Sequence, residues 1–418
     1  MSKLIIDGGK PISGTVTVHG SKNAALPILA ATILATEGTT VLHNCPDISD
    51  VKATVKILRF LGAKVRRCGH TIIIDAGSKI KSRIPRRLMC RLRSSIIFMG
   101  AITARNQKAK ISAPGGCRLG ARPIDLHIST LRSLGCEILE KKNRLLVNGK
   151  NLHNAKITLR FPSVGATENL LLASCIAPGV TTIENAAKEP EIVDLADFLN
   201  KMGASIEGAG TSLITVTGVE KLCGTDYTVM SDRIEATTYL CCSAATGGDI
   251  CLKNANPLHL EAVLSCLAKC GCQVEAEGDT IHLVAPKTLS PLTDVETAPY
   301  PGFPTDAQSL FLAMLTTADG TSRIQENIFE NRFKIADELT LMGADITVSQ
   351  DTATIYGKPQ LTGTQVCACD LRSGAAMVIA ALAAQGTTEI DNVCYIDRGY
   401  ENLEKTLTEL GASIKRIP

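Results

Sequence analysis

The sequence predicts an α/β fold of six repeated modules, three in each of two domains, and three observations carry that prediction. The string Leu-x-x-(Leu/Met/Cys)-Gly-(Ala/Cys)-x-(Val/Ile) occurs six times, with its glycines at Gly62, Gly135, Gly203, Gly271, Gly343 and Gly411, 68 to 73 residues apart. An apolar period that ends in glycine and resumes at once with a β-branched residue reads as a helix stopped at its C′ position and followed by a strand. Units of that length exceed a solenoid repeat, so each reads as a small α/β module. The 418 residues also fit roughly two to three domains of about 150 residues each.

Within a module the order of elements is constant. A short strand leads in, as in Thr15-Val16-Thr17-Val18 and Ile157-Thr158-Leu159. An alanine-rich helix with a polar start follows, Ser21-Lys22-Asn23-Ala24-Ala25 in the first copy and Asp370-Leu371-Arg372-Ser373-Gly374-Ala375-Ala376 in the last. A Gly-Thr-Thr or similar turn opens a strand at Gly38-Thr39-Thr40-Val41, Thr181-Thr182-Ile183, Gly320-Thr321 and Gly386-Thr387-Thr388-Glu389-Ile390. An amphipathic helix then runs to the glycine stop, and strands of period two close the unit, as in Thr71-Ile72-Ile73-Ile74 and Leu213-Ile214-Thr215-Val216.

The sixth copy ends at Ile414-Lys415-Arg416-Ile417-Pro418 without its last strands. Leu4-Ile5-Ile6 and Thr15-Val16-Thr17-Val18 have the pattern to supply them, so residues 1–21 are expected to complete the sixth unit. Three units per domain then give one domain at 22–230, carrying the loop around Cys117, and a second at 1–21 plus 231–418, closed by the N-terminal strands.

Composition excludes several classes. Hydrophobic residues at 45%, charged residues at 20% and a net charge of +3 are globular values, unlike those of a disordered chain. The longest largely apolar run, Ala24 to Ala35, falls short of the ~20 residues a spanning helix needs, and the start lacks a signal-peptide pattern, so a cytoplasmic chain with no membrane partner is expected. Aromatics at 3% and the absence of Trp argue against stacking on nucleic-acid bases. Sixteen scattered cysteines, several inside apolar stretches (Cys175, Cys241, Cys242, Cys266), fit buried thiols in a reducing compartment. Cys270-x-Cys272 and Cys367-x-Cys369 lack a matching pair at zinc-ligand spacing, so no metal and no cofactor is expected.

The second copy departs from the repeat. Where the others carry the Gly-Thr-Thr turn it has Pro114-Gly115-Gly116-Cys117-Arg118-Leu119-Gly120-Ala121-Arg122-Pro123. Residues that the copies share serve the fold, and a copy that breaks the rule points to function. From Ala76 to Ile124 there is no acidic residue but twelve Lys and Arg; Lys79 to Arg87 read as a solvated basic face, whereas Arg93, Arg118 and Arg122 flank a helix start and the glycine-rich turn. Helix N-termini offer free N–H donors and partial positive charge, so added cations there make an anion site. A small polyanion such as a phosphate or nucleotide fits better than nucleic acid.

The alanine-rich helices begin with Lys22, Arg93, Ser163, Arg233, Asp306 and Arg372, and Ser21, Ser94, Ser163, Asp232, Thr305 and Asp370 are their expected N-caps. Cations are unfavourable at that end of a helix, so Lys22, Arg93, Arg233 and Arg372 imply an anion close by. Cys117, between glycines and arginines, is a thiol whose pKa nearby cations lower, suited to act as proton donor or nucleophile. Arg398 is expected either to serve the site or to pair with Asp397, His127 reads as structural, and Glu189 and Glu191 read as a solvent-facing helix lead-in.

Six segments taken together resemble the family of UDP-N-acetylglucosamine enolpyruvyl transferases. They are Ser21-Lys22-Asn23-Ala24-Ala25-Leu26-Pro27; Pro114 to Cys117 with Gly120 to His127; Glu189-Pro190-Glu191-Ile192-Val193-Asp194; Phe303-Pro304-Thr305-Asp306; Phe329-Glu330-Asn331-Arg332-Phe333; and Ile396-Asp397-Arg398-Gly399-Tyr400. The resemblance implies an inside-out α/β barrel in each of two domains, with six βαβαββ repeats. It implies transfer of the enolpyruvyl group of phosphoenolpyruvate to the 3′-hydroxyl of UDP-N-acetylglucosamine by addition–elimination, with release of phosphate, in peptidoglycan synthesis. By position it implies that Cys117 is the general acid and adduct site, that Lys22, Arg122 and Arg398 grip phosphate and carboxylate, and that Asp306 takes the sugar hydroxyl proton. Asn23 and Arg93 would line the site (Arg93 rather than Arg91, because Ser94 and Ser95 then keep register). Arg122, Pro123, Ile124, Asp125 and Leu126, with Ser163, Val164, Gly165 and Ile328, would hold the UDP-sugar, and Asp370 and Arg372 would complete the far wall. The loop at Gly115-Gly116-Cys117 disfavours the nearest rival, the shikimate-pathway enolpyruvyl transferase.

Overall fold

The computed structural model describes residues 2–77, 79–112, 114–115, 124–141 and 144–418. The six repeat glycines all take the left-handed conformation, with φ between 86° and 117°, as a stop that needs no Cβ requires. The described residues divide into two compact units, one within residues 20–115 and 124–230 and the other formed by the N-terminal residues through His19 with Ser231–Pro418.

Each unit keeps three of its helices inside, with its sheets outside them. In the first, α1 (Lys22–Ala31), α2 (Phe98–Asn106) and α3 (Val164–Ser174) form the centre, with α2 packed on both of the others. In the second, α4 (Arg233–Thr246), α5 (Thr305–Leu315) and α6 (Leu371–Ala383) pack pairwise on one another. Their alanine-rich composition follows from that position: α6 has Leu371 through Leu382 all buried, and small side chains let helices that are enclosed on all sides approach closely. Each unit has one apolar core of its own, from Ala24 to Val229 in one and from Leu4 to Ile414 in the other.

Outside these helices, among the described residues, lie six sheets of three or four strands and one two-stranded pair, Ala35–Glu37 with Leu222–Cys223. In the first unit the orders are Asp226–Thr228, Thr40–His43, Thr71–Asp75, Lys64–Cys68; then Lys108–Ser112, Arg144–Asn148, Glu137–Lys141; then Lys156–Thr158, Val180–Glu184, Leu213–Thr217, Ser205–Glu207. The lead-in strand pairs parallel and the rest antiparallel, as in Ile157 beside Ile183 and Ile183 beside Ile214.

The two N-terminal strands part company. Lys3–Asp7 lies between Thr387–Asp391 and Ser413–Ile417, with Leu4 opposite Ile390 and Arg416, and so fills the gap in the sixth sheet. Ser13–Thr17 instead pairs parallel with Asp249–Lys253 of the fourth repeat, and Asp226–Thr228 provides the lead-in strand of the first. The reading of Thr15–Val18 as part of the sixth repeat is therefore corrected. Five-residue strands fix their alternation but not their partner, and partner choice is set by where the chain crosses between units.

Candidate functional site

In the first unit the candidate residues sit at the starts of the inner helices. Ser21 caps α1 by accepting from the Ala24 N–H at 3.3 Å, and Lys22 follows with its ammonium 3.2 Å from the buried Asp50 carboxylate. Asn23 is half-buried beside it. Ser163 caps α3, and Val164 and Gly165 form its half-buried first turn. Arg93 opens the 3₁₀ turn Arg93–Ile97 that precedes α2 and packs against both α1 and α3. It is half-buried, whereas Arg91 is exposed. Ser94 provides no cap there; Ser95 instead donates its hydroxyl to the Met89 and Leu92 carbonyls.

Behind Arg93 lies a buried histidine. The Asn169 side-chain oxygen accepts from the Gly100 N–H at 2.7 Å, so its amide nitrogen donates to His127 Nδ1 at 2.8 Å and leaves the ring proton on Nε2. Burial, with Arg93 nearby, lowers the His127 pKa to about 4, so the ring is neutral. Its structural reading holds in this network. Ile124, Asp125 and Leu126 enter the helix Asp125–Ser133, and Asp125 pairs with the exposed Arg160. Cys117, Arg122 and Pro123 lie outside the described residues, as does most of the glycine-rich loop.

The carboxylates of the same unit correct one expectation. Glu191 is only 2% exposed, and Glu168 on α3 is buried as well. Burial, with Glu191 and Glu189 nearby, pushes the Glu168 carboxyl well above the usual range. The Glu189-Pro190-Glu191 segment starts a helix that packs against α1 and α3, and that packing puts Glu191 inside, away from solvent. Sequence reasoning missed Glu168 because a single Glu in a run of alanines and leucines gives no sign of which face it occupies.

In the second unit the centre of charge is Asp306, in the first turn of α5. Its Oδ1 accepts from Arg332 Nη2 at 2.5 Å and its Oδ2 from Arg372 Nη2 at 2.9 Å. The guanidinium-bearing side chains are 2% and 6% exposed, so two buried cations share one carboxylate. Arg332 also donates to the Thr305 carbonyl through Nε and Nη2. Arg372 reaches the Tyr400 hydroxyl at 3.4 Å, and that hydroxyl lies 2.8 Å from Thr238 Oγ1. Burial pushes Tyr400 up to about 12, against the pull of Arg372, so it stays a neutral phenol.

Asp370 caps α6 through the N–H groups of Arg372 and Ser373, and Ser373 answers by accepting from the Asp370 N–H. Arg332 belongs to this constellation although only the motif around it, not its role, was legible in the sequence. The half-buried Ile328 donates its N–H to the buried Glu326. Arg398 ends the turn Val393–Arg398 and is half-buried. Its neighbour Asp397 accepts from Arg416 at 2.7 and 3.0 Å.

Two of the cations at helix starts thus have protein anions beside them, Asp50 for Lys22 and Asp306 for Arg372. Thr305 is not a cap either: the N-cap position of α5 is Pro304, and the Thr305 hydroxyl donates to Glu326 at 2.8 Å. The basic stretch is exposed as expected at Lys79, Lys81, Arg83, Arg86 and Arg87, with Lys81 Nζ 4.8 Å from the Phe60 ring centre. Buried thiols are held protonated: burial raises Cys45, Cys175 and Cys270 to about 12 and Cys272 to about 11. Among the described residues no helix is long and apolar enough to cross a membrane.

Comparison with known proteins agrees with this architecture. The family model for EPSP synthase (3-phosphoshikimate 1-carboxyvinyltransferase) matches residues 6–407. UDP-N-acetylglucosamine 1-carboxyvinyltransferase 2 of Caldanaerobacter subterraneus subsp. tengcongensis is 50% identical over all of both chains. UDP-N-acetylglucosamine 1-carboxyvinyltransferase of Desulfatibacillum aliphaticivorans is 46% identical, also over all of both chains. Among solved structures, the enolpyruvyl transferase NikO from Streptomyces tendae superposes with a TM-score of 0.88 at 26% identity, covering 100% of this chain and 99% of that one. EPSP synthase from Acinetobacter baumannii gives 0.75 at 22% identity over both full chains, a likeness of fold. The inner helices, the outer sheets and the full-length identity lead to one assignment: the chain belongs to the EPSP synthase family of carboxyvinyltransferases and, within it, to the UDP-N-acetylglucosamine 1-carboxyvinyltransferases.

Proposed function

We propose that this protein transfers the enolpyruvyl group of phosphoenolpyruvate to the 3′-hydroxyl of UDP-N-acetylglucosamine and releases inorganic phosphate, the first committed step of peptidoglycan synthesis, in the cytoplasm. Full-length identity of 50% to a carboxyvinyltransferase named for that acceptor supports the substrate pair. The observation that carries the chemistry is Asp306, an acceptor carboxylate fixed by two buried arginines at the start of an inner helix.

The reaction balances without a redox step. A proton adds to C3 of the enol, the sugar oxygen attacks C2 and gives up its proton, and the tetrahedral phospho-ketal then loses a C3 proton and phosphate. Cys117 is the proposed acid toward C3 and the adduct site. Asp306 is the proposed acceptor of the hydroxyl proton. Lys22, Arg122 and Arg398 are the proposed clamp on phosphate and carboxylate, because a ligand with nearly three negative charges taken from water needs fixed counter-charge.

Asn23, Arg93, Asp370 and Arg372 line the proposed site. Ile124, Asp125, Leu126, Pro123, Ser163, Val164, Gly165 and Ile328 are its proposed UDP-sugar contacts. The test is phosphate release with phosphoenolpyruvate and UDP-N-acetylglucosamine, beside shikimate 3-phosphate as the alternative acceptor, with mass spectrometry for an adduct on Cys117. Turnover with the UDP-sugar alone is expected. Turnover only with the shikimate acceptor, or undiminished turnover in Cys117→Ala, would sink this reading.

A further inference from the structure

Glu326 follows the strand Thr321–Gln325 and is 4% exposed, without a basic side chain bound to it among the described residues. Its charge is met by three donors of two different segments. One oxygen accepts the Thr305 hydroxyl at 2.8 Å, and the other accepts the N–H groups of Ile328 and Phe329 at 2.8 and 3.0 Å. The loop it binds is anchored a second time at Thr297, whose hydroxyl accepts from the Asn327 N–H at 2.8 Å.

These bonds close a ring around the candidate base. From Glu326 the chain runs through Ile328 and Phe329 to Arg332, which returns to the Thr305 carbonyl and to Asp306 Oδ1. Thr305 is bound from both ends, its hydroxyl by Glu326 and its carbonyl by Arg332. A carboxylate that accepts two backbone N–H groups and a hydroxyl holds them in one arrangement, because bonds to charged acceptors are shorter and stronger than neutral ones. The N-terminus of α5 has no side-chain cap, so nothing in the repeat itself fixes its first turn at this point.

We infer that Glu326 is a positioning residue for the transfer reaction: through Thr305 and the backbone of Ile328 and Phe329 it sets the direction of the Asp306 carboxylate and the seat of Arg332. The inference rests on Asp306 acting on the sugar hydroxyl. A misdirected acceptor affects the transition state more than the bound ground state, so kcat changes before the KM for phosphoenolpyruvate does.

The pair Thr305→Val and Thr305→Ser tests it at nearly constant side-chain size. Thr305→Val removes the hydroxyl that Glu326 holds, and Thr305→Ser keeps it. Thr305→Val is expected to lower kcat at least tenfold with the KM for phosphoenolpyruvate within twofold of wild type, while Thr305→Ser stays within about threefold in kcat. Glu326→Gln keeps the shape and one acceptor oxygen and is expected to fall between them, with the same KM pattern. Thermal unfolding of each variant, and assay well below its midpoint, separates this from loss of folded protein. Equal kcat in Thr305→Val and Thr305→Ser, or losses that track only the folded fraction, would overturn the inference. A wild-type enzyme that fails to turn over phosphoenolpyruvate and the UDP-sugar would instead refute the functional reading on which it rests.

Discussion

Replacing Asp306 by Asn keeps size and one acceptor oxygen but removes the charge that two guanidinium groups share. Arg332 and Arg372 are 2% and 6% exposed at the side chain, so they cannot turn to water when the carboxylate is lost. Removing one partner of a buried pair costs about 3–5 kcal/mol. The Asn oxygen can still accept from one arginine, which recovers about 1 kcal/mol. Asp306 is itself 29% exposed, so part of its field is already screened. The balance is about 3 kcal/mol of lost stability, a factor of roughly one hundred and fifty in the folding equilibrium. Urea unfolding of Asp306→Asn, Arg332→Met and the double variant measures this directly. The double variant removes one of the two stranded cations and is expected to be more stable than Asp306→Asn alone, with a coupling of about 2 kcal/mol. Phosphate release should not recover with it, because the general-base assistance proposed for Asp306, worth about 10²–10⁴ in rate, is gone in both. An Asp306→Asn protein that unfolds at the wild-type urea concentration, or strictly additive losses in the double variant, would refute the picture of two buried cations on one carboxylate.

Other perturbations test other parts of the structure. Lys22→Gln removes the ammonium that lies 3.2 Å from the buried Asp50 carboxylate and should lose about 3 kcal/mol. Adding Asp50→Asn should restore most of that stability but not activity, and equal stability of Lys22→Gln and wild type would contradict the pairing. Burial raises the Asp194 carboxyl to about 6, although it accepts the Tyr227 hydroxyl at 2.7 Å. A raised pKa means that the folded state holds the proton more tightly, so the contribution is full below about pH 4 and is lost as pH rises through 6. From this group alone the protein should be about 1.4 kcal/mol more stable at pH 5 than at pH 8, and Asp194→Asn should flatten urea midpoints across that range by the same amount. A slope unchanged in the variant would assign the effect elsewhere. At Gly100 an added Cβ would lie 2.6 Å from the Asn169 carbonyl oxygen, so α2 and α3 must part. Gly100→Ala should lose about 1–3 kcal/mol in thermal or urea unfolding, and wild-type stability would show that the helices are not so close.

The helix stops were legible in the sequence because they are local: a left-handed residue after an apolar period needs glycine whatever surrounds it. All six glycines have that conformation. Strand partners were less legible. Lys3–Asp7 and Ser13–Thr17 have the same short alternating character, yet one joins the sixth sheet and the other the fourth. Alternation specifies which face is buried and leaves the partner to topology. The same limit applied to charge. Asp306 was found by its motif, but its partners lie 26 and 66 residues further along, and Glu168 and Glu191 became neighbours only when two helices packed. Of the four cations at helix starts, Lys22 and Arg372 do have an anion beside them, but it is a protein carboxylate, which sequence alone could not tell from a ligand.

The repeat also explains where the chemistry falls. Within each unit three equivalent helices begin at equivalent places, and a side-chain cap worth about 1 kcal/mol is the default way to satisfy their first N–H groups. Ser21 and Ser163 cap α1 and α3; Asp232 and Asp370 cap α4 and α6. The exceptions are the turn at Arg93, where the position before it is Leu92, and α5, where it is Pro304; neither residue provides a side-chain cap. At α5 the Thr305 hydroxyl is instead bound to Glu326, and in the Arg93 turn the Ser95 hydroxyl donates to two carbonyls. An uncapped start gives up local stability and leaves its donors and its first-turn side chain available for other partners. The two starts that forgo the cap carry Arg93 and Asp306, and the capped starts carry Lys22, Ser163 and Arg372, so in the proposed site capped and uncapped helix starts both present first-turn side chains.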